Sequence, residues 1–322
     1  MQLLSSKFKK VCFHFLRCSM RKVIHNVSEM SISKDSLSTM PYAHKVMMVN
    51  PAYFNIDTPI NAHMLQADGS PHLLDKNKAM EQWQELKKTY EHIGLNVFVV
   101  DPVKGLPDMV FCANQSFPYL DAIGNYNAVL SNMFNDTRNE EVPFINSFLN
   151  AHGYTTHRIA SRTMGYFFES MGDALWLPGH RFILGGYGFR TDKRIYNFLS
   201  EITNAPIAIF ELKNPKFYHL DTCLSVLNAT SAIACKEAFT EEGWQLLKSI
   251  FINLIEVPLE EADSPGFACN AHCPDQKHVI IQKGCQKTLQ LLKDYDFVPL
   301  EVDTSEFIKS GGSVFCMKLM FF

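Results

Sequence analysis

Tyr90-Glu91-His92-Ile93-Gly94-Leu95-Asn96-Val97-Phe98-Val99-Val100 passes from the end of an amphipathic helix into a β-rich run. Upstream of it, Met80, Trp83, Leu86, Tyr90 and Ile93 fall on one apolar stripe of helical period, and Gly94 is the expected C′ stop. The same passage recurs at Leu149 into Tyr154-Thr155-Thr156, at Leu199 into Pro206-Ile207-Ala208-Ile209-Phe210, at Leu247 into Leu254-Ile255-Glu256-Val257, and at Leu292 into Phe297-Val298-Pro299-Leu300-Glu301-Val302. A spacing of roughly 45–60 residues marks a repeated supersecondary unit, so the chain reads as five α–β units. Such units build either a doubly wound sheet or a closed radial ring. No Gly-x-Gly-x-x-Gly turn opens any of the helices, which leaves a dinucleotide-binding sheet without its phosphate cradle. A ring would bring one strand end of each unit to a central axis.

The 322 residues are 47% hydrophobic and 20% charged, a soluble globular composition able to bury a large core. A net charge of −3 gives no electrostatic basis for nucleic-acid binding. No apolar run reaches the roughly 18–20 residues that a membrane span needs. Nine cysteines without a framework spacing read as reduced thiols, which points to a cytoplasmic protein. Residues 1–42 differ from the rest: Lys7, Lys9, Lys10, Arg17, Arg21 and Lys22 all precede the first acid, Glu29. They are expected to form a disordered extension, with organelle targeting or secretion left open. Residues 43–322 are expected to form a single catalytic domain.

Three segments carry the parts of a thiol-based site. Gly311-Gly312-Ser313-Val314-Phe315-Cys316 reads as a glycine pair leading into a short strand with a thiol near its start. Glycine there allows positive φ and close approach of backbone to substrate. Tyr218-His219-Leu220-Asp221-Thr222 supplies an imidazole and a carboxylate, and Phe168-Glu169-Ser170-Met171-Gly172-Asp173 supplies two carboxylates. Each residue alone has a plain structural reading, and spacing does not prove that they converge. Leu106-Pro107-Asp108-Met109-Val110-Phe111-Cys112-Ala113-Asn114 reads as a turn entering a strand that ends on Asn114. Gly185-Gly186-Tyr187-Gly188-Phe189-Arg190 reads as a strand exit holding Arg190 for a carboxylate or leaving it solvated. Cys269-Asn270-Ala271-His272-Cys273 lacks the second ligand pair of a zinc site, so no metal is expected.

In order and distance these motifs resemble those of the guanidine-modifying enzymes, the pentein or amidinotransferase superfamily, and most of all its cyanobacterial-type arginine dihydrolases. Dimethylargininases and arginine deiminases are related branches. The resemblance spans roughly residues 45 to 322 and includes Asn61, Glu81-Gln82-Trp83-Gln84 and Gly266-Phe267-Ala268-Cys269-Asn270. It implies a five-bladed pseudo-symmetric αβ propeller with a central, cofactor-free active site. Cys316 would be the nucleophile, His219 the general acid/base and Glu169 its paired carboxylate. Asn114 and Asp221 would contact the guanidinium, Asp173 would support them, and Arg190 and Asn61 would hold the amino-acid end.

Asn114 stands where deiminases have Asp, which favours the dihydrolase branch. Asn132 stands where relatives have an Arg that helps to bind the α-carboxylate. The implied partner is a small guanidino compound, arginine or a derivative, with neither nucleic acid nor membrane involved. A homo-oligomer is compatible with the reading. Release of citrulline by a deiminase or dimethylargininase, amidino transfer, and a non-catalytic propeller protein are the alternatives.

Overall fold

The computed structural model describes residues 23–33 and 36–322. Its fifteen strands form five small sheets. In chain order they are β1 (Val23–Ile24), β2 (Lys45–Val49), β3 (Asn96–Val100), β4 (Ser116–Leu120), β5 (Tyr126–Leu130), β6 (Thr155–Arg158), β7 (Ala174–Trp176), β8 (Ile183–Tyr187), β9 (Ile207–Glu211), β10 (Leu224–Val226), β11 (Ser231–Ala234), β12 (Asn253–Glu256), β13 (His278–Gln282), β14 (Val298–Val302) and β15 (Leu319–Phe321).

Every sheet contains one parallel pair whose two strands are joined through a helix. The pairs are β2–β3, β5–β6, β8–β9, β11–β12 and β13–β14. The linking helices are α1 (Lys76–His92), α2 (Val142–Ala151), α3 (Ile195–Thr203), α4 (Glu241–Ile250) and α5 (Gln286–Asp294). Parallel strands need such crossovers because a tight turn reverses direction. Four sheets add an antiparallel partner: β4 on β5, β7 on β8, β10 on β11 and β15 on β2. In the fifth, a bridge from His272 to Ile280 takes that place. All five expected helix-to-strand junctions are present.

In the first sheet the antiparallel partner comes from the other end of the sequence. Leu319 pairs with Met47 and Phe321 with Lys45, so β15 fastens the last strand to the first unit. Thr155–Arg158, by contrast, is an edge strand paired only with β5. The inner faces of the sheets and helices meet in a large apolar core that includes Phe117, Leu184, Tyr196, Phe210 and Trp244, with a second cluster around Val46, Trp83, Leu86, Tyr90 and Phe307.

Of the extension expected over residues 1–42, residues 1–22 and 34–35 lie outside the described residues. The remainder packs on the domain. Val23 and Ile24 add a fourth strand parallel to β9, Ile24 and Met40 are buried, and Met40 N–H donates to Gly179 O. Two local readings are corrected. Pro107–Val110 is a 3₁₀ turn rather than part of a strand, because Pro107 starts it and Phe111 N–H closes onto Asp108 O. Cys316 lies in the turn over residues 314–317, ahead of β15 rather than in it. Among the described residues no helix is long and apolar enough to cross a membrane.

Helix α1 illustrates how the sequence sets an element. The Asp75 carboxylate accepts from Lys78 N–H as N-cap, and Trp83, Leu86 and Tyr90 are buried along the stripe. Gly94, at φ +87°, turns the chain so that Leu95 N–H reaches Tyr90 O. A Cβ at Gly94 would meet no atom within 4 Å, so a substitution there costs only backbone conformation. Gly94→Ala should therefore destabilise by about 1 kcal/mol, against about 2–5 kcal/mol for the cavity left by Leu86→Ala. Urea unfolding midpoints of the two variants check that order, and a larger loss at Gly94 would contradict it.

Candidate active site

Cys316, His219, Glu169, Asp221 and Asn114, from four separate segments of the sequence, are brought together and buried. The glycine pair makes the approach possible. Gly311 has φ +86°, and Cβ atoms at Gly311 and Gly312 would fall 2.8 Å from Asn61 Oδ1 and 2.4 Å from the Phe111 ring. The Cys316 Sγ lies 3.2 Å from Asp221 Oδ2 and 3.2 Å from Asn270 Nδ2. Burial, then the Asp221 charge and its hydrogen bond, push the Cys316 thiol pKa well up. Asp221 is itself pushed up to about 7, chiefly by burial. At rest the group is a thiol donating to a carboxylate. Asp221 Oδ1 has no hydrogen-bond partner among the described residues.

His219 Nε2 is 2.6 Å from Glu169 Oε2, and Arg190 Nη1 is 3.4 Å from the same oxygen. Burial opposes a charge on Glu169, yet Arg190, the His219 contact and Arg138 hold its carboxyl well below the usual range. The ionised carboxylate fixes the imidazole through Nε2 and leaves Nδ1 facing Gly172, while His219, Glu169 and Asp221 lie outside the lining of the cavity over Cys316. Asn114 Nδ2 is next to the imidazole: a Cβ on Gly172, between them, would lie 2.4 Å from that nitrogen and 3.1 Å from His219 Nδ1.

Two residues without an expected role organise the centre. The Asn270 amide donates to Asp221 O and Cys316 Sγ and accepts from the N–H groups of Ser313 and Cys316. Arg138 donates from Nη1 to Asn114 Oδ1 at 3.0 Å, from Nη2 to Phe111 O, and from Nε and Nη2 to Glu141. A guanidinium only donates, so the Asn114 atom facing it must be the oxygen. The Asn114 NH₂, which has no partner among the described residues, then faces the site as a donor. Asn270 lies in a motif that the sequence reading singled out. Arg138 had no signal beyond an acid three residues on in a short helix.

The remaining expectations fare differently. Arg190 lines the pocket, stacks 4.8 Å over the Tyr218 ring and donates to Ile60 O. Asn61 lines it too, but its amide is engaged with His63 N–H and Ser310 O. Asp173 is outside the lining and accepts from Leu220 N–H, holding the segment that carries His219 and Asp221. Asn132 donates to Tyr166 O and does not line the pocket. Its place as a cation near the pocket falls to Arg138, whose donors are already used. The cavity over Cys316 is only about 10 Å³, room for about one water. Ile60, Asn61 and Met64 belong to its lining, and a space of this size does not hold an amino acid.

Removing the Asp221 charge should separate thiol reactivity from turnover. Asp221→Asn deletes the anion that raises the Cys316 pKa, so alkylation by iodoacetamide at pH 7–8 should quicken severalfold in the free protein. Hydrolysis of a guanidinium substrate should fall at the same time. Unchanged or slower alkylation at a cysteine mapped to 316 would refute the electrostatic assignment.

The eukaryotic N,N-dimethylarginine dimethylhydrolase family model matches residues 50–322. The dimethylarginine dimethylaminohydrolase of Mycobacterium tuberculosis is 33% identical over 279 residues, covering 87% of this chain and 86% of the relative. The bifunctional arginine dihydrolase/ornithine cyclodeaminase ArgZ of Synechocystis is 29% identical over 276 residues, covering 85% of this chain. This chain spans only 37% of that relative's length. The solved N-terminal domain of ArgZ, an arginine dihydrolase bound to substrate, superposes with a TM-score of 0.78 at 28% identity, covering 86% of this chain and 97% of the domain. A dimethylarginine dimethylaminohydrolase adduct structure superposes with a TM-score of 0.72 at 22% identity, covering 87% of this chain and all of that one, a likeness of fold. With one family model covering most of its length and a relative one third identical, the chain belongs to the dimethylarginine dimethylaminohydrolase family of guanidino C–N hydrolases.

Proposed function

We propose that this protein hydrolyses the guanidino group of arginine through a covalent Cys316 thiouronium, without a cofactor, and carries the reaction to ornithine, carbon dioxide and two ammonia. The observation that carries the reading is one buried centre holding the Cys316 thiol against Asp221 and an imidazole fixed by an ionised carboxylate. We also infer that the five units close as the blades of a propeller around it. The β15–β2 pairing across the chain ends supports this closure.

The proposed steps follow from the groups. An arginine guanidinium enters as a planar cation and presents its N–H donors to Asp221. Its charge next to Sγ lowers the thiol pKa that burial and Asp221 have raised, so the nucleophile forms when substrate is bound. The thiolate attacks the central carbon, and His219 Nδ1 gives a proton to the departing ammonia. Water, activated by the same imidazole, attacks the thiouronium, the C–S bond breaks and a ureido group remains. Its carbonyl oxygen is an acceptor and suits the Asn114 NH₂ donor. Retained there, it undergoes a second hydrolysis, for a net consumption of two waters. Arg190 and the pocket rim take the amino-acid end.

A second reading has its own support. The family match and the mycobacterial relative favour Nω,Nω-dimethylarginine, with dimethylamine and citrulline as products. The two separate in one experiment: purified protein is given arginine or Nω,Nω-dimethylarginine, and ornithine, citrulline, ammonia and dimethylamine are assayed. Ornithine from arginine supports the dihydrolase. Citrulline one-to-one with ammonia or dimethylamine, without ornithine, refutes it. Cys316→Ser should lose roughly 10⁴-fold in rate. A variant keeping more than about a tenth of the rate would remove Cys316 as nucleophile, set against that scale for lost nucleophiles.

Asn114→Asp tests the donor assignment. The carboxylate would still accept from Arg138 but would offer the site only an acceptor. The guanidinium stage keeps a partner and the ureido stage loses its donor, so the product should shift from ornithine toward citrulline. An unchanged product ratio with activity retained means that Asn114 does not govern the second round.

A further inference from the structure

Four cationic side chains are buried among the described residues: Arg138, Arg181, Arg190 and Lys318. The three arginines donate to acceptors: Arg138 to Glu141, Arg190 to Glu169, and Arg181 to the carbonyls of Leu120, Thr203 and Asp121. Lys318 is fully buried, and its Nζ has no hydrogen-bond partner among the described residues, only the face of the Phe315 ring at 3.1 Å. A buried ammonium persists only with a counter-charge. The groups whose negative charge favours it are Asp221, then Cys112 and Cys316. Burial raises both thiols, Cys112 to about 12, so at neutral pH Asp221 is the acid among the three.

The reactive turn brings the two together. Lys318 stands two residues after Cys316, and its N–H closes the turn onto Phe315 O. Asp221 meets the same turn through Oδ2, 3.2 Å from Cys316 Sγ, and the Asn270 amide ties its backbone to that thiol. Asp221 Oδ1, like Lys318 Nζ, has no hydrogen-bond partner among the described residues. Amine and carboxylate therefore act on each other across a gap, not as a bonded ion pair. A bonded amine would occupy Oδ1, whereas one at a distance leaves that oxygen open to a substrate N–H. In a buried setting a charge acts across such a gap with little screening. Burial pushes Asp221 up to about 7 and Lys318 down to about 7, and each opposes the other's shift. The other charged neighbours are already committed. Arg138 also favours the Asp221 carboxylate but is bound to Glu141, and burial first, then Lys318, holds His272 well below its usual pKa.

We propose that Lys318 is a positioning residue of the guanidino hydrolysis: its ammonium, beyond bonding reach of Asp221, keeps that acid in the carboxylate form that receives the substrate cation. The proposal rests on the reading of Asp221 as the acceptor of guanidinium N–H groups. Lys318 touches neither the substrate nor the bond that breaks, and it acts only through Asp221. With the amine replaced by an apolar group, Asp221 keeps its burial and loses a cation, so it ionises at higher pH.

Lys318→Met in the full chain keeps the volume and removes the charge. The acid limb of kcat/KM is measured with whichever of arginine and Nω,Nω-dimethylarginine the protein hydrolyses. It should move up by about one pH unit, a loss of about tenfold at pH 6 that largely closes by pH 9. A purely structural defect would lower the rate by one factor at every pH. Without substrate, carbon-13 NMR of aspartate-labelled protein follows the Asp221 carboxyl, assigned by its disappearance in Asp221→Asn. Its titration should shift upward in Lys318→Met. An Asp221 titration that does not move, or a rate loss independent of pH, would overturn the proposal. Turnover of neither substrate would refute the proposed reaction, and the carboxyl titration alone then decides whether Lys318 sets the charge of Asp221. Should Lys318→Met fail to fold, the pair is read from its other member. In Asp221→Asn the Lys318 amine, followed by carbon-13 lysine labelling, should titrate at lower pH than in the unaltered protein, and an unmoved amine overturns the pairing.

Discussion

One amide holds the reactive turn in place. Asn270 is fully buried and its two polar atoms reach Asp221, Ser313 and Cys316, three positions spread over 95 residues of sequence. Buried backbone N–H groups must find acceptors. The turn over 314–317 is too short to satisfy its own, so the Asn270 oxygen takes those of Ser313 and Cys316. The same side chain donates to Sγ and to the Asp221 backbone. The thiol and its carboxylate neighbour are thus positioned by a group that carries no charge. Its hydrogen bonds lower the pKa values of both Cys316 and Asp221, against the larger rise that burial imposes on each.

That field is where the fold spends its stability. Glu169, Arg190, His219, Arg138, Glu141 and Asp221 are all buried close together, an arrangement that costs desolvation for every charge. The pairings sort them. Glu169 has two cationic neighbours and stays ionised, whereas Glu141, although it faces Arg138, is pushed up to about 7 mainly by burial. Asp221 faces the thiol, and burial pushes it up to about 7 although Cys316, Lys318 and Arg138 act against the rise. An empty site with a raised thiol and a soft carboxylate is unreactive. In the proposed reaction the substrate guanidinium adds the charge that stabilises the thiolate and the Asp221 carboxylate together. Selectivity for cationic substrates then follows from electrostatics as well as from shape.

The five units were legible because their signal is local: an apolar stripe, a glycine or polar stop and a β-rich run lie within about 25 residues of each other in each case. The residues of the thiol site were legible as motifs. What the sequence concealed was direction. Asn61, read as holding the substrate's amino-acid end, lines the pocket with its amide engaged by His63 N–H and Ser310 O, and Asp173, read as a supporting group, accepts from Leu220 N–H. The Cys316 segment looked like a strand because Val314 and Phe315 are strand-prone, but Asn270 takes the N–H that a ladder would use. Arg138 was invisible because its importance lies in its bond to Asn114, twenty-four residues back in the turn before β4.

The polarity of Asn114 joins these points. Had its amide been free to flip, it would meet a donor or an acceptor equally well, and the site would not distinguish a guanidinium from a urea. Arg138 removes that freedom, because only an oxygen can face a guanidinium. The centre is then left with an acceptor on one side, Asp221 Oδ1, and a donor on the other, Asn114 Nδ2, both buried and both without partners among the described residues. A guanidinium satisfies only the acceptor. A ureido group has N–H groups for Asp221 and a carbonyl for Asn114, and satisfies both. Unsatisfied buried polar atoms are costly, so a site of this polarity favours the first product over the substrate in hydrogen bonding while its charge favours the substrate. That opposition is what the proposed dihydrolase reaction needs in order to accept a cation and then retain the neutral species made from it.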